Sequence, residues 1–103
     1  MWWKFTNGWS LADFSKSITK DADYTLAADE KVPFLSAVLS AASKSIVLGL
    51  KEGEVMVVAN IGGTNAFTVK AISGDTGTSI AAGKVAIVIG SETANASKIY
   101  VLN

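Results

Sequence analysis

The sequence predicts an all-β fold, a small antiparallel β-sandwich or barrel with an extended aromatic N-terminal segment, and three observations point to it. Apolar, β-branched runs recur at Glu54-Val55-Met56-Val57-Val58, Ala66-Phe67-Thr68-Val69 and Val85-Ala86-Ile87-Val88-Ile89. Clusters of Gly, Asn, Asp and Ser separate them, the punctuation of short strands. No helical period intervenes with comparable strength.

Taken in order, Asp23-Tyr24-Thr25-Leu26 alternates as a short strand and Ser45-Ile46-Val47-Leu48 as another, the latter ending at the Gly49 to Gly53 turn region. Val32 to Ala42 is ambiguous. Leu35, Val38, Leu39 and Ala42 fit one helical face, whereas Val32 and Phe34 fit a strand that Pro33 would confine to a sheet edge; strand followed by turn is the preferred reading. Glu54 to Asn60 is apolar on both faces, and Ile61-Gly62-Gly63-Thr64-Asn65 offers residues tolerant of positive φ before Ala66 to Ile72 returns, which reads as a hairpin. Ser73 to Thr78 is turn-rich, Lys84 to Ile89 is again apolar on both sides, and Ser97 to Leu102 is a closing strand. Roughly six or seven strands result, with no fixed-period repeat.

The two doubly apolar strands carry a functional implication. A two-layer sandwich normally wets its outer faces and so alternates. Where alternation is lost, the outer face is covered, either by the N-terminal segment or by identical subunits around a symmetry axis.

At 103 residues the chain makes one core, divided by composition into an arm of residues 1–20 and a β-rich domain of residues 21–103. Cys and His are absent, removing disulfides, thiol nucleophiles, the usual zinc ligands and the side chain that titrates near neutrality. Nine basic residues balance nine acidic ones, leaving no footprint for nucleic acid or an anionic membrane. Lys44, Lys51, Glu52 and Glu54 interrupt every window long enough to span a bilayer, and Met1-Trp2-Trp3-Lys4 lacks the pattern of a signal peptide. Half the residues are hydrophobic and 17% charged, an apolar balance for so small a domain.

The order of Tyr24-Thr25-Leu26, Ser45-Ile46-Val47-Leu48, Gly53-Glu54-Val55-Met56-Val57-Val58-Ala59-Asn60-Ile61-Gly62, Phe67-Thr68-Val69, Ala82-Gly83-Lys84-Val85-Ala86-Ile87-Val88 and Ile99-Tyr100-Val101-Leu102 resembles the small β-modules of tailed-bacteriophage virion proteins, found in tail fibres, tail tips and capsid decoration proteins. The resemblance covers roughly residues 21–103. Gly49 stands where those modules usually carry Pro, and Tyr100 lacks the frequent neighbouring Trp. What the resemblance implies is a non-enzymatic virion structural protein, typically a homotrimer, without catalytic residues, cofactor or metal. The chain's size and its own Met1 favour a capsid decoration (cement) protein, assembled in the host cytoplasm, whose partners are its own copies and the major capsid protein on the capsid exterior. The alternative is a tail-fibre, tail-tip or head-fibre component whose turns at Ile61 to Asn65, Gly74 to Thr78 and Ser91 to Ala96 touch a host receptor or glycan. Those turns contain no aromatic platform, which lowers its standing.

Trp2, Trp3, Phe5, Trp9, Leu11 and Phe14 are the candidate capsid or subunit contacts, because Trp supplies large contact area and is enriched at interface hot spots. Packing of the same residues as a first strand is the competing explanation. Asp13, Asp21, Asp23, Asp29 and Glu30 match no calcium-loop spacing and read as a solvated acidic face. Gly62-Gly63 and Gly74-Asp75-Thr76-Gly77 neither open a helix nor end in Gly-Lys-Ser/Thr, so they read as turns rather than phosphate loops; Asp75-Thr76-Gly77 also matches the aspartic-protease triplet, in a single copy. Asn95-Ala96-Ser97 is a glycosylation sequon that cytoplasmic assembly would leave silent.

Overall fold

Alternating burial decides which runs become strands. The computed structural model describes residues 14–102. Its strands are β1 (Ser15–Lys20), β2 (Tyr24–Thr25), β3 (Phe34–Leu39), β4 (Lys44–Val47), β5 (Val55–Asn60), β6 (Phe67–Lys70), β7 (Thr78–Ile80), β8 (Lys84–Ile89) and β9 (Lys98–Leu102), with one 3₁₀ turn at Ala28–Glu30. A five-stranded sheet of order β1-β3-β5-β8-β9 packs on a four-stranded sheet of order β2-β4-β6-β7, giving the expected all-β, two-layer architecture.

The connectivity departs from an antiparallel sandwich. β1 with β3, β3 with β5, β2 with β4 and β4 with β6 all pair parallel. From β1 to β6 the chain alternates layers, so each strand's neighbour in its own sheet lies one full turn away. Parallel strands require a crossover, commonly a helix; here a strand of the opposite sheet supplies it. The chain then reverses, and β7 on β6, β8 on β5 and β9 on β8 pair antiparallel.

This winding overturns the hairpin expected between residues 54–60 and 66–72. β5 and β6 lie in different sheets, because β3 and β8 already occupy both edges of β5. The ambiguous segment forms β3 followed by a turn. Pro33 does not confine it to an edge: it immediately precedes the strand, where its missing N–H breaks no ladder, and its carbonyl accepts from Val57 N at 2.8 Å while β3 sits between β1 and β5.

The core lies between the layers. Ile18, Leu35, Ala37, Leu39, Met56, Val58, Ala86 and Val88 from the larger sheet meet Ile46, Phe67, Val69 and Ile80 from the smaller, with Leu26, Leu48, Leu50 and Ala71 of the connecting segments completing the cluster. Asn60 is buried at one end of β5, where Nδ2 donates to the carbonyls of Asn65 and Ile80, each at 2.9 Å, and so ties β5 to the layer opposite.

Candidate interaction surface

Period-two geometry sends every second residue of the larger sheet outward. Register places Phe34, Val57, Ile87 and Tyr100 in one row across β3, β5, β8 and β9, with Ser15 of β1 at its end. The adjoining row runs Ser17, Ser36, Ala59, Val85, Leu102, and beyond Val57 lie Val55 and Ile89. The outer face is therefore largely apolar across four strands, with hydroxyls along the β1 side and exposed Lys98, opposite Ile89, at its β9 corner. Val55 is 41% exposed, Tyr100 55% and Leu102 47%, while Val57, Val85, Ile87 and Ile89 are half-buried.

The turn after β5 extends this face. A Cβ on Gly62 or Gly63 would come within 3.0 Å of the Val38 side chain, so glycine is what lets the turn lie against the outward Val38 and present exposed Ile61 beside it. Positive φ, expected for this pair, is found instead at Gly49, Gly53, Gly77 and Gly83. At Gly49, φ is +70°, which proline cannot adopt. Lys31 Nζ donates to the Gly49 carbonyl at 2.8 Å.

Of the aromatic set, Trp2, Trp3, Phe5, Trp9 and Leu11 lie outside the described residues, as does Asp13. Phe14 is half-buried and immediately precedes β1, which falls within residues 1–20 and is paired with β3 along its whole length.

Asp21, Asp23 and Asp29 are exposed, as a solvated acidic face requires. Asp29 pairs with Lys16 at 2.9 Å, and Asp23 accepts from Ser45 N at 2.9 Å. Glu30 corrects the reading outright: it is buried, accepting from Tyr24 Oη at 2.5 Å and Ala27 N at 2.7 Å. Its hydrogen bond lifts the Tyr24 phenol above its usual value, and Lys20 Nζ lies 4.2 Å from the centre of that ring. Among the described residues no group of three or more His, Cys, Asp or Glu could hold a metal ion, and no helix is long and apolar enough to cross a membrane.

Asp75 does structural work that the turn reading missed. Only 6% exposed, it accepts from Ala71 N and Ile72 N through Oδ2 and from Asn95 N through Oδ1 at 2.7 Å, while Ser97 Oγ donates to Oδ2. Asn95 Oδ1 reciprocates by accepting from Thr76 N at 2.7 Å, so residues 71–78 and 91–97 are laced together. An Asp in a turn bonding backbone N–H groups was the available sequence signal; its link to Asn95 was not legible. A cleft of about 140 Å³ lies between these loops, lined by Thr76, Thr78, Asn95 and Ile99 among others. Its carboxylate is committed to loop closure, an arrangement unlike a paired-carboxylate catalytic centre.

No family model, curated protein or solved structure matches the chain.

Proposed function

We propose that this protein is a non-enzymatic virion structural component, a homotrimeric capsid decoration protein that binds the outer capsid and stabilises the shell. The observation carrying the reading is the apolar outer face of the five-stranded sheet, which serves as the contact between copies. Large contiguous apolar patches mark interaction sites, and here Val55, Ile61, Tyr100 and Leu102 are exposed around half-buried Val57, Val85, Ile87 and Ile89. The virion setting rests on the order of the strand motifs. Trp2, Trp3, Phe5, Trp9, Leu11 and Phe14 form the contact with the shell or with a neighbouring subunit.

The mechanism is mass action. A protein that binds only the assembled shell stabilises it by its binding free energy, repeated over many sites. Quantitative mass spectrometry of purified virions should give nearly one copy per capsid subunit; a few copies per particle would favour the tail or head-fibre reading, and absence from the particle would end both. Decorated shells should retain DNA at temperatures that open undecorated ones. Trp2→Ala with Trp3→Ala should abolish capsid binding while the β-domain stays folded, and retained binding would refute the assigned contact.

A further inference from the structure

The cleft of about 140 Å³ between residues 71–78 and 91–97 has walls that are hydrogen-bonded in place. Asp75 fixes one wall through the amides of Ala71 and Ile72 and the other through Asn95 N, and Asn95 Oδ1 returns the tie to Thr76 N. The backbone turns left-handed on both sides, at Gly77 with φ +84° and at Asn95 with φ +62°. A Cβ on Gly77 would lie 2.6 Å from Thr68 Cγ2 and 2.7 Å from the Val69 carbonyl, so glycine is what lets this wall press back against β6. Non-glycine residues in that region of backbone space are uncommon and cluster at functional sites, ligand clamps among them.

The groups that these ties leave over define a ligand. Among the described residues no charged side chain other than Asp75 lines the cleft, and that carboxylate is already engaged by the amides of Ala71, Ile72 and Asn95 and by Ser97 Oγ. An anion therefore finds no positive group, and a cation finds no uncommitted carboxylate. Thr76 Oγ1, Thr78 Oγ1 and Asn95 Nδ2 make no hydrogen bond to the described residues; Asn95 spends its oxygen on Thr76 N, which leaves its amide N–H groups to donate. Ile99, half-buried on β9, adds the apolar wall that the turns themselves lack. Such a lining suits a neutral molecule with several hydroxyls and an aliphatic face. Volume narrows the class: a cavity of about 150 Å³ takes one six-membered ring, whereas pockets for larger organic ligands start near about 300 Å³.

We propose that this cleft binds one neutral pyranose ring, with Thr76, Thr78 and Asn95 bonding its hydroxyls and Ile99 lying against its C–H face. The site is separate from the apolar outer face and depends on neither the proposed trimer nor the shell. A single ring held by these few groups binds weakly, with a Kd in the millimolar range. Because the walls are tied before the ligand enters, little ordering is needed on binding.

Two-dimensional amide NMR reads this directly, by titrating the protein with glucose, galactose and mannose and with their methyl pyranosides. At least one sugar should give saturable shifts centred on the amides of Thr76, Gly77, Thr78, Asn95 and Ser97. Shifts from a free hexose and its methyl pyranoside alike support the end of a glycan chain as the source, and shifts from the free hexose alone support a free sugar. No saturable shift up to about 100 mM, shifts centred elsewhere, or an equal response to glycerol overturns the proposal. Thr76→Val with Thr78→Val removes both hydroxyls at nearly constant shape. Asn95→Asp keeps an acceptor for Thr76 N and removes the donor amide. Each variant should weaken binding by about tenfold or more while the other amide signals hold their positions; unchanged affinity in both would refute the assignment.

Discussion

The two sheets of this sandwich share a core and differ in what they show outside. The smaller sheet presents Ser45, Thr68 and Ser79 in one outer row and Thr25, Val47 and Lys70 in the next. The larger presents Phe34, Val57, Ile87 and Tyr100, with Val85 and Leu102 alongside. Both have the same obligation inward, where Phe67 and Val69 meet Met56 and Val58. Outward, one sheet is polar and the other largely apolar. The pleat itself imposes no chemistry on either side.

Substitutions on the inner and outer faces should separate these roles. The largest effect belongs to the shared core: Phe67→Ala, at a fully buried site, should cost about 3–5 kcal/mol in urea unfolding. A loss below about 1 kcal/mol would mean that the layers are not packed through Phe67. Next comes the loop tie. Asp75→Ala leaves the amides of Ala71, Ile72 and Asn95 without their acceptor and should cost about 1–3 kcal/mol, with faster exchange at those amides. Unchanged exchange there would show that the two loops are held by other contacts.

The outer face should behave oppositely. Tyr100→Ser with Leu102→Ser should alter the folding free energy of a single copy by about 0.5 kcal/mol or less, yet reduce self-association measured by sedimentation. Equal association by the variant would place the interface elsewhere. On the four-stranded sheet, Thr68→Ser should leave association unchanged.

The smallest effect concerns the pair at the β1 edge. Lys16 holds the Asp29 carboxyl below its usual value by hydrogen bonding and charge, and Asp29 in turn raises Lys16. The stabilisation is complete above the carboxyl's unfolded pKa and fades as pH falls through the folded value; at the alkaline end it fades as pH rises through the raised lysine value. Both groups are exposed, so the contribution is small. Any difference between wild type and Asp29→Asn in urea midpoint at neutral pH should vanish near pH 2. A difference that persists in acid would assign the effect to something other than the ion pair.

How far the sequence foretold this structure depends on the range of each interaction. Strand existence was legible at β2, β4, β5, β6, β8 and β9, because β-branched runs bounded by turn residues encode it locally. The apolar outer face was legible too, as lost alternation in residues 54–60 and 84–89. β1 was not, since Ser15, Lys16, Ser17, Thr19 and Lys20 leave Ile18 as its single apolar residue and only the neighbouring β3 makes it a strand. Likewise Glu30 looks solvated until the fold brings Tyr24 over it.

By itself, then, the sequence determined the all-β class, the strand-and-turn punctuation and the loss of alternation in residues 54–60 and 84–89, all properties of residues within a few positions of one another. Tertiary structure alone decided that strands β1 to β6 alternate between layers and pair parallel with the strand two along, that Gly62 and Gly63 serve close approach to Val38, and that Asp75 joins two distant loops. Strand pairing and burial are set by groups far apart in the chain, and backbone hydrogen bonds between strands carry no side-chain signature of which partner they will choose.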